Sequence, residues 1–271
     1  MRVRLALPSL LVALLVAACS AGPGSPSAGS PSVAKIELQV YAAASLKAVL
    51  DQVKTAYEAA TPGITLTIST DSSTALETKI EQGAPADVLL SADTKNPQML
   101  VDKGLASGPV VDFAGNLLTV IVPSANPAGI AAPVDLARPG VKVIACSDGV
   151  PIQTYTAQWL AKVSALPAYG TDFAARYNAN VVSREDNVGS IVAKVALGEG
   201  DAGVVYVTDA KASGEVRTID IPIDQNVPAT YGGAVVRSSA HEGAARAFLA
   251  WLTGPNGEAI LASFGFVPPS G

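Results

Sequence analysis

A regular alternation of strand-like and helix-like segments runs through the chain after residue 34 and limits the folds open to it. Residues 35–42 (KIELQVYA) and 64–70 (ITLTIST) place apolar side chains at every second position, the periodicity of a β-strand with one buried face. Between them, residues 45–60 repeat apolar side chains at intervals of three and four, as an amphipathic helix does. Such repeats predict an α/β protein whose parallel-rich sheets are flanked by helices.

The same patterns continue to the C-terminal part of the chain. They predict strands at residues 86–93, 116–123, 141–147, 202–210, 216–222 and 230–236, and helices at residues 73–83, 96–105, 151–163 and 241–254, with residues 180–200 supplying a short strand, a turn and a helix. These units are too numerous for one sheet of ordinary size, so we expect two lobes with a ligand cleft between them. We assign residues 35–116 and 226–271 to the first lobe and residues 117–225 to the second.

The first 18 residues have the pattern of a secretory signal, in which two arginines precede an apolar run too short to span a membrane comfortably. Residues 16–19 (VAAC) resemble the lipobox of bacterial lipoproteins, whose cysteine carries a lipid. The alternative is an ordinary signal peptide with an incidental cysteine. Residues 19–34 are rich in Ser, Gly and Pro and predict a flexible linker. We therefore expect an exported protein, anchored through lipidated Cys19 to the outer face of the bacterial cytoplasmic membrane.

Several classes of protein are disfavoured by the composition. A net charge of −5 gives the chain no electrostatic reason to bind nucleic acid. His241 is the only histidine and Cys146 the only cysteine besides Cys19, so neither a Ser-His-Asp triad nor a zinc site is supported. We expect no enzymatic activity, no cofactor and no metal ligands, and we expect Cys146 to be a small buried side chain. An exported hydrolase that uses one of the serines is a distant alternative.

Hydroxyl groups and unencumbered amides recur at the predicted starts of four helices, at Ser45 and at residues 71–74, 148–152 and 186–189. A helix start carries unpaired N–H groups and the positive end of the helix dipole. Several such starts converging in space would bind an anion without any charged side chain. Ordinary helix capping explains each turn taken singly.

In the capping interpretation, three features of these turns have structural roles. Thr74 and Glu77 have the spacing of a capping box at the second helix. Asp148 and Asp186 are expected to cap the helices that follow them, because a carboxylate turned towards the ligand would favour a protonated oxyanion. The sequence does not show whether the turns converge.

Four segments spread along the chain carry a resemblance to a known family. They are AAASL (42–46), SSTALETKIEQGAPADVLLSAD (72–93), EDNVGSIVAKVALGEGDAGVVYVTDA (185–210) and FGFVPP (264–269). Together they resemble the substrate-binding proteins of bacterial molybdate ABC transporters. The resemblance covers nearly the whole chain after residue 34 and implies the two-lobed periplasmic-binding-protein fold (type II), which closes on one tetrahedral oxyanion.

The resemblance also implies which residues bind the oxyanion: Ser45, Ser73, Ile152, Asn187 and Tyr206. Ser45 and Ser73 would give hydroxyl and backbone donors from the first lobe, and Tyr206 would give its phenol. Ile152 and Asn187 would give backbone N–H groups from the second lobe, with Val188 as the alternative to Asn187.

Molybdate and tungstate are the ligands that the resemblance implies, with molybdenum bound only as its oxyanion. Both are bare dianions that present only acceptors, which a site built from N–H and O–H donors satisfies. Hydrogen phosphate needs an acceptor and would be rejected, whereas the exclusion of sulfate depends on cavity size. We expect a monomeric carrier that delivers its ligand to the membrane permease of an ABC importer. The alternative is the same fold binding sulfate or a small organic anion.

Overall fold

Strands and helices alternate along residues 35–270, the part of the chain that this computed structural model describes. The predicted signal peptide, the linker and the lipidation of Cys19 lie outside the described residues. The strands are β1 (Ile36–Ala43), β2 (Ile64–Asp71), β3 (Val88–Ser91), β4 (Val111–Asn116), β5 (Leu118–Pro123), β6 (Val143–Cys146), β7 (Val181–Glu185), β8 (Ala202–Tyr206), β9 (Val216–Asp220) and β10 (Ala229–Val235).

The helices connect and cover these strands. They are α1 (Lys47–Ala60), α2 (Ser73–Glu81), α3 (Lys95–Asp102), α4 (Pro151–Ser164), α5 (Phe173–Ala179), α6 (Val188–Ala196), α7 (Val207–Ser213), α8 (Glu242–Leu252) and α9 (Pro255–Phe264), with short 3₁₀ helices at Ala44–Leu46 and Pro133–Ala137. Within residues 35–270, none of these helices has the length and apolar character needed to cross a bilayer.

The ten strands of residues 35–270 form two sheets of five, ordered β2-β1-β3-β10-β4 and β7-β6-β8-β5-β9. Each is a mixed sheet, because β10 in the first and β5 in the second run antiparallel to both of their neighbours. The remaining pairs, of β1 with β2 and β3 and of β6 with β7 and β8, are parallel. The sheets are thus less parallel than the sequence pattern suggested, since β5 and β10 follow connections that contain no helix.

The two sheets define two lobes. Strands of the first sheet come from residues 36–116 and 229–235, whereas strands of the second come from residues 118–220. The chain therefore passes into the second lobe at Leu117, the single residue between β4 and β5, and returns after β9. The predicted lobe ranges are compatible with this division, and their exact boundaries stay a prediction.

Apolar side chains from the helices bury against each sheet. Tyr57 on α1 is buried, and its ring meets those of Phe248 and Trp251 edge to face, with centroids 5.0 and 5.2 Å away. In the second lobe the ring of Trp159 packs in the same way on Phe173 at 5.9 Å. Cys146 is a buried free thiol at the end of β6, as expected of a small apolar side chain, and burial raises its pKa.

One element was predicted wrongly in a way that concerns the site. Residues 202–210 were expected to form one strand, but β8 ends at Tyr206 and α7 begins at Val207. The backbone N–H of Tyr206 donates to the Asp209 carboxylate at 3.3 Å, which stabilises the first turn of α7. Tyr206 therefore lies at a strand-to-helix turn, the same kind of position as Ser45.

Candidate functional site

The two lobes enclose a small cavity between the helix starts. Its volume is about 10 Å³ for the centre of a water-sized sphere, so that it holds a group of only a few atoms. All five predicted site residues line this cavity, and so does the alternative residue Val188. Ala43 and Ala44 line it as well, and their small side chains leave room beside Ser45.

Ser45 reaches the cavity from the 3₁₀ helix that joins β1 to α1. Its side chain is buried, and its Oγ lies 2.9 Å from the hydroxyl of Tyr231 on β10. Either hydroxyl could be the donor in this bond. Sequence reasoning missed Tyr231, because nothing in the TYGGAVV segment indicates that it meets a serine so far away in the chain.

Ser73 is the first residue of α2 and lines the cavity. Its Oγ accepts a hydrogen bond from the backbone N–H of Ala92 at 3.0 Å, so its own proton is not used in that bond. Ser72 is the N-cap of the helix and accepts from the N–H of Ala75 at 3.3 Å. The predicted capping box at Thr74 is therefore wrong, and the Thr74 hydroxyl instead donates to the carbonyl of Gly149 at 2.7 Å.

Ile152 lines the cavity from the start of α4. Val150 is the N-cap, Pro151 the first helical residue and Ile152 the second, so the N–H of Ile152 has no acceptor within the helix. In the described part of the chain no side chain caps this helix, which contradicts the expected role of Asp148. The Asp148 side chain is 92% exposed and lies 3.7 Å from the guanidinium of Arg184, a long ion pair.

Asn187 lines the cavity as the N-cap of α6. Its Oδ1 accepts from the N–H of Ser190 at 3.1 Å, so the side-chain oxygen caps the helix. Val188 is the first helical residue, and which of these two N–H groups would face a ligand stays a prediction. Asp186 was expected to be the cap and is not, because it precedes the N-cap and its side chain is exposed.

Tyr206 is a residue of the lining with a buried hydroxyl that lacks a partner among the described residues. Its side chain is 1% exposed. Burial raises the pKa of Tyr206 well above its usual value, so this hydroxyl stays protonated and can donate. A buried donor without an acceptor costs about 1–3 kcal/mol, which a ligand acceptor would recover.

The polar groups that line the cavity are neutral. Among residues 35–270, neither Lys nor Arg lines it, and Asp and Glu do not line it either. Within residues 35–270 no cluster of three His, Cys, Asp or Glu side chains could hold a metal ion. Hydroxyl and peptide N–H donors at several helix starts suit a small anion that presents only acceptors.

The chain is similar to bacterial binding proteins over nearly its whole length. The sequence model of the bacterial extracellular solute-binding proteins matches residues 38–267. The molybdate-binding protein ModA of Mycobacterium tuberculosis (strain ATCC 25618 / H37Rv) is 34% identical over 262 residues, which cover 96% of this chain and 95% of the relative.

Two solved structures resemble the fold and have names that specify an oxyanion. The periplasmic molybdate-binding protein of Azotobacter vinelandii superposes with a TM-score of 0.72 at 26% identity, covering 86% of this chain and 100% of its own. The sulfate-binding protein SubI of M. tuberculosis H37Rv superposes with a TM-score of 0.77 at 25% identity, covering 86% and 87%. The chain therefore belongs to the bacterial extracellular solute-binding proteins and, among them, to the family of the molybdate-binding protein ModA, with the two-lobed type II periplasmic-binding-protein fold.

Proposed function

We propose that this protein captures molybdate outside the cytoplasm and delivers it to the membrane permease of an ABC importer. The observation that carries the proposal is made on Tyr206, a residue of the cavity lining whose buried hydroxyl has no partner among the described residues. A ligand oxygen between the lobes would accept its proton. Membership of the ModA family supports molybdate as the source of that oxygen.

Donors from both lobes would surround the oxyanion. Ser45 and Ser73 would donate their hydroxyl protons from the first lobe, and Tyr206 its phenolic proton from the second. The backbone N–H groups of Ile152 and of Asn187 or Val188 would add the donors of two helix starts. Molybdate is fully deprotonated at neutral pH and offers only acceptors, so each of these donors would be satisfied.

The same donor set disfavours phosphate. Near neutral pH phosphate carries at least one proton, and among the described residues the lining offers that proton no carboxylate to accept it. Tungstate has the charge and shape of molybdate, and we expect it to bind as well. Sulfate is the second candidate and is favoured by the likeness to SubI. Since sulfate is also a bare dianion, only its smaller size relative to the cavity would distinguish it from molybdate.

Lobe closure would couple capture to transport. The ligand would bridge donors of both lobes and stabilise their closed arrangement, which an open arrangement could not reproduce. The permease would then recognise the closed carrier. We further propose, from the sequence, that a lipid on Cys19 holds the monomeric carrier at the outer face of the membrane, so that Cys19→Ser would move the protein from the membrane fraction to the medium or periplasm.

Thermal unfolding of the purified protein in separate samples with molybdate, tungstate, sulfate and phosphate tests the proposal. A ligand at one hundred times its dissociation constant adds about 2.7 kcal/mol of stability, which is a measurable rise in Tm. We expect this rise with molybdate and tungstate and none with phosphate. A rise with sulfate alone would make the protein a sulfate carrier, and no rise with any anion would contradict oxyanion capture.

A further inference from the structure

A hydrogen-bonded chain leads from the crossing between the lobes to the cavity. The Tyr231 hydroxyl lies 2.9 Å from Ser45 Oγ and 3.3 Å from Asn116 Nδ2. Asn116 is the last residue of β4, directly before the chain enters the second lobe. Asn116 and Tyr231 are fully buried and lie behind the lining, so that only Ser45 of the three reaches the cavity.

The amide of Asn116 is held in one orientation. Its Oδ1 accepts the backbone N–H of Leu117 at 2.9 Å, and its Nδ2 lies 2.8 Å from the Thr208 hydroxyl oxygen. Turning the amide over would place two donors against the N–H of Leu117. The Nδ2 group therefore faces Tyr231, and the Tyr231 oxygen accepts a hydrogen bond from it.

The orientation of Asn116 fixes the direction of the next bond. Tyr231 has one hydroxyl proton, burial raises its pKa well above the usual value, and Ser45 Oγ is its only other polar partner among the described residues. If Ser45 donated to Tyr231, the phenolic proton would be buried without an acceptor. Every group is satisfied when Tyr231 donates to Ser45, which leaves the Ser45 proton for the cavity.

The ring of Tyr231 is positioned independently of its hydroxyl. It meets the rings of Tyr206, Phe113 and Phe266 edge to face, with centroids 5.6, 6.0 and 5.5 Å away. A phenylalanine at this position would keep these contacts. The hydroxyl can therefore be removed with little disturbance of the packing.

We propose that Tyr231, held by Asn116, is a positioning residue that fixes the Ser45 hydroxyl as a hydrogen-bond donor toward the bound oxyanion and so strengthens the preference for fully deprotonated anions. The inference rests on the proposed function, because it deepens the role of the same site. Ser73 is arranged in the same way, since the N–H of Ala92 occupies its oxygen. In both serines the oxygen accepts from a donor of the protein, and the hydroxyl proton is left for the ligand.

Removing the Tyr231 hydroxyl would release this constraint. In Tyr231→Phe the oxygen of Ser45 loses its donor and becomes free to accept a hydrogen bond from the ligand side. The Ser45 hydroxyl could then rotate and accept from a protonated anion such as hydrogen phosphate, to which the wild-type site presents its proton instead. The variant should therefore lose molybdate affinity and lose discrimination against phosphate at the same time.

A double-mutant cycle of the full-length protein separates this role from a general packing effect. Molybdate affinity is measured by calorimetry, and phosphate affinity by competition, for the wild type, Tyr231→Phe, Ser45→Ala and the double variant. We expect Ser45→Ala to weaken molybdate binding by about tenfold or more and Tyr231→Phe by roughly threefold to tenfold. In the Ser45→Ala background, Tyr231→Phe should change affinity by less than about twofold.

Tyr177→Phe is the control for the loss of a buried hydroxyl. Tyr177→Phe removes another buried hydroxyl, one without a partner among the described residues and outside the lining, and should leave both affinities unchanged. Additive losses in the cycle, or a molybdate-to-phosphate ratio unchanged in Tyr231→Phe, would overturn the role of Tyr231. Failure of the wild type to bind molybdate would instead contradict the proposed function. Thermal unfolding of each unliganded variant identifies any that fail to fold.

Discussion

The hydroxyl of Thr74 on α2 lies 2.7 Å from the carbonyl oxygen of Gly149, and this hydrogen bond joins the first lobe directly to the second. Gly149 adopts a φ of +89°, a conformation that a residue with a side chain rarely takes, and this turn aims its carbonyl at α2. A bond between the lobes stabilises their closed arrangement and is lost if they separate.

Thr74→Val should weaken ligand binding although Thr74 does not line the small cavity. One neutral hydrogen bond contributes about 0.5–1.5 kcal/mol, so we expect molybdate affinity to fall by roughly threefold to tenfold. Calorimetric titration measures this loss. Thr78→Val on the exposed face of the same helix is the control and should bind as the wild type does. Equal affinities for the two variants would show that this bond does not stabilise the liganded state.

Tyr206→Phe should change stability and affinity in opposite directions. The unliganded protein should be as stable as the wild type or more stable, because the variant removes a buried hydroxyl that has no partner among residues 35–270. Molybdate affinity should fall by about tenfold to a hundredfold, since a hydrogen bond to a charged group contributes about 1.5–3 kcal/mol. Urea unfolding and calorimetry measure the two effects. A variant with wild-type affinity would exclude this hydroxyl from the site.

Asp209→Asn should raise stability at neutral pH and have little effect near pH 4. Burial raises the pKa of Asp209 to about 7 from an ordinary value of 3.8. The folded protein therefore holds this proton more tightly than the unfolded chain, and the stability that it contributes is lost as the pH rises from about 4 to about 7. The slope from this group is at most about 1.4 kcal/mol per pH unit.

The measurement is the free energy of unfolding of wild type and Asp209→Asn between pH 4 and pH 8. The asparagine oxygen can still accept from the N–H of Tyr206, so the helix start is retained. Asp51→Asn on the exposed surface of α1 removes one charge without removing a buried carboxyl and serves as the control. Parallel pH profiles of wild type and Asp209→Asn would rule out a raised pKa.

Gly115→Ala should destabilise the fold by about 1–3 kcal/mol. The C-terminal segment pairs with Gly115 through Val267, and a Cβ at Gly115 would lie 2.5 Å from the carbonyl oxygen of Pro268. Gly243→Ala on α8 has nothing within 4 Å of its added Cβ and should stabilise the protein by about 0.5–1 kcal/mol. Urea unfolding compares the pair, and equal effects of the two substitutions would contradict the close approach at Gly115.

The sequence predicted those parts of the fold that depend on local pattern. Periodicity located most strands and helices, because each segment that buries one face repeats its apolar side chains at the spacing of a strand or a helix. It missed α7, since the helix start at Tyr206 depends on Asp209 rather than on apolar spacing. It also assigned caps to Asp148 and Asp186, although Val150 and Asn187 hold those positions. Cap identity depends on backbone angles that composition does not determine.

The residues that line the cavity were predicted through the resemblance. The residues that hold them from outside the cavity, such as Tyr231, were not predicted. Ser45 and Tyr206 occur in segments that resemble the family, and both line the cavity. The pairing of Ser45 with Tyr231 joins residues 186 positions apart. No local pattern records such a contact, because it arises only when β10 enters the first sheet between β3 and β4.

The uncharged lining has a consequence for an extracellular binding protein, because the pH outside the cell changes with the surrounding medium. Serine hydroxyls and peptide N–H groups do not titrate in water's ordinary range, and the tyrosine among them ionises only in strong alkali. The donors that line the pocket therefore stay protonated over the ordinary pH range of the medium. Acidification would act on the captured anion, by adding a proton to it, while the receptor itself kept the same set of donors.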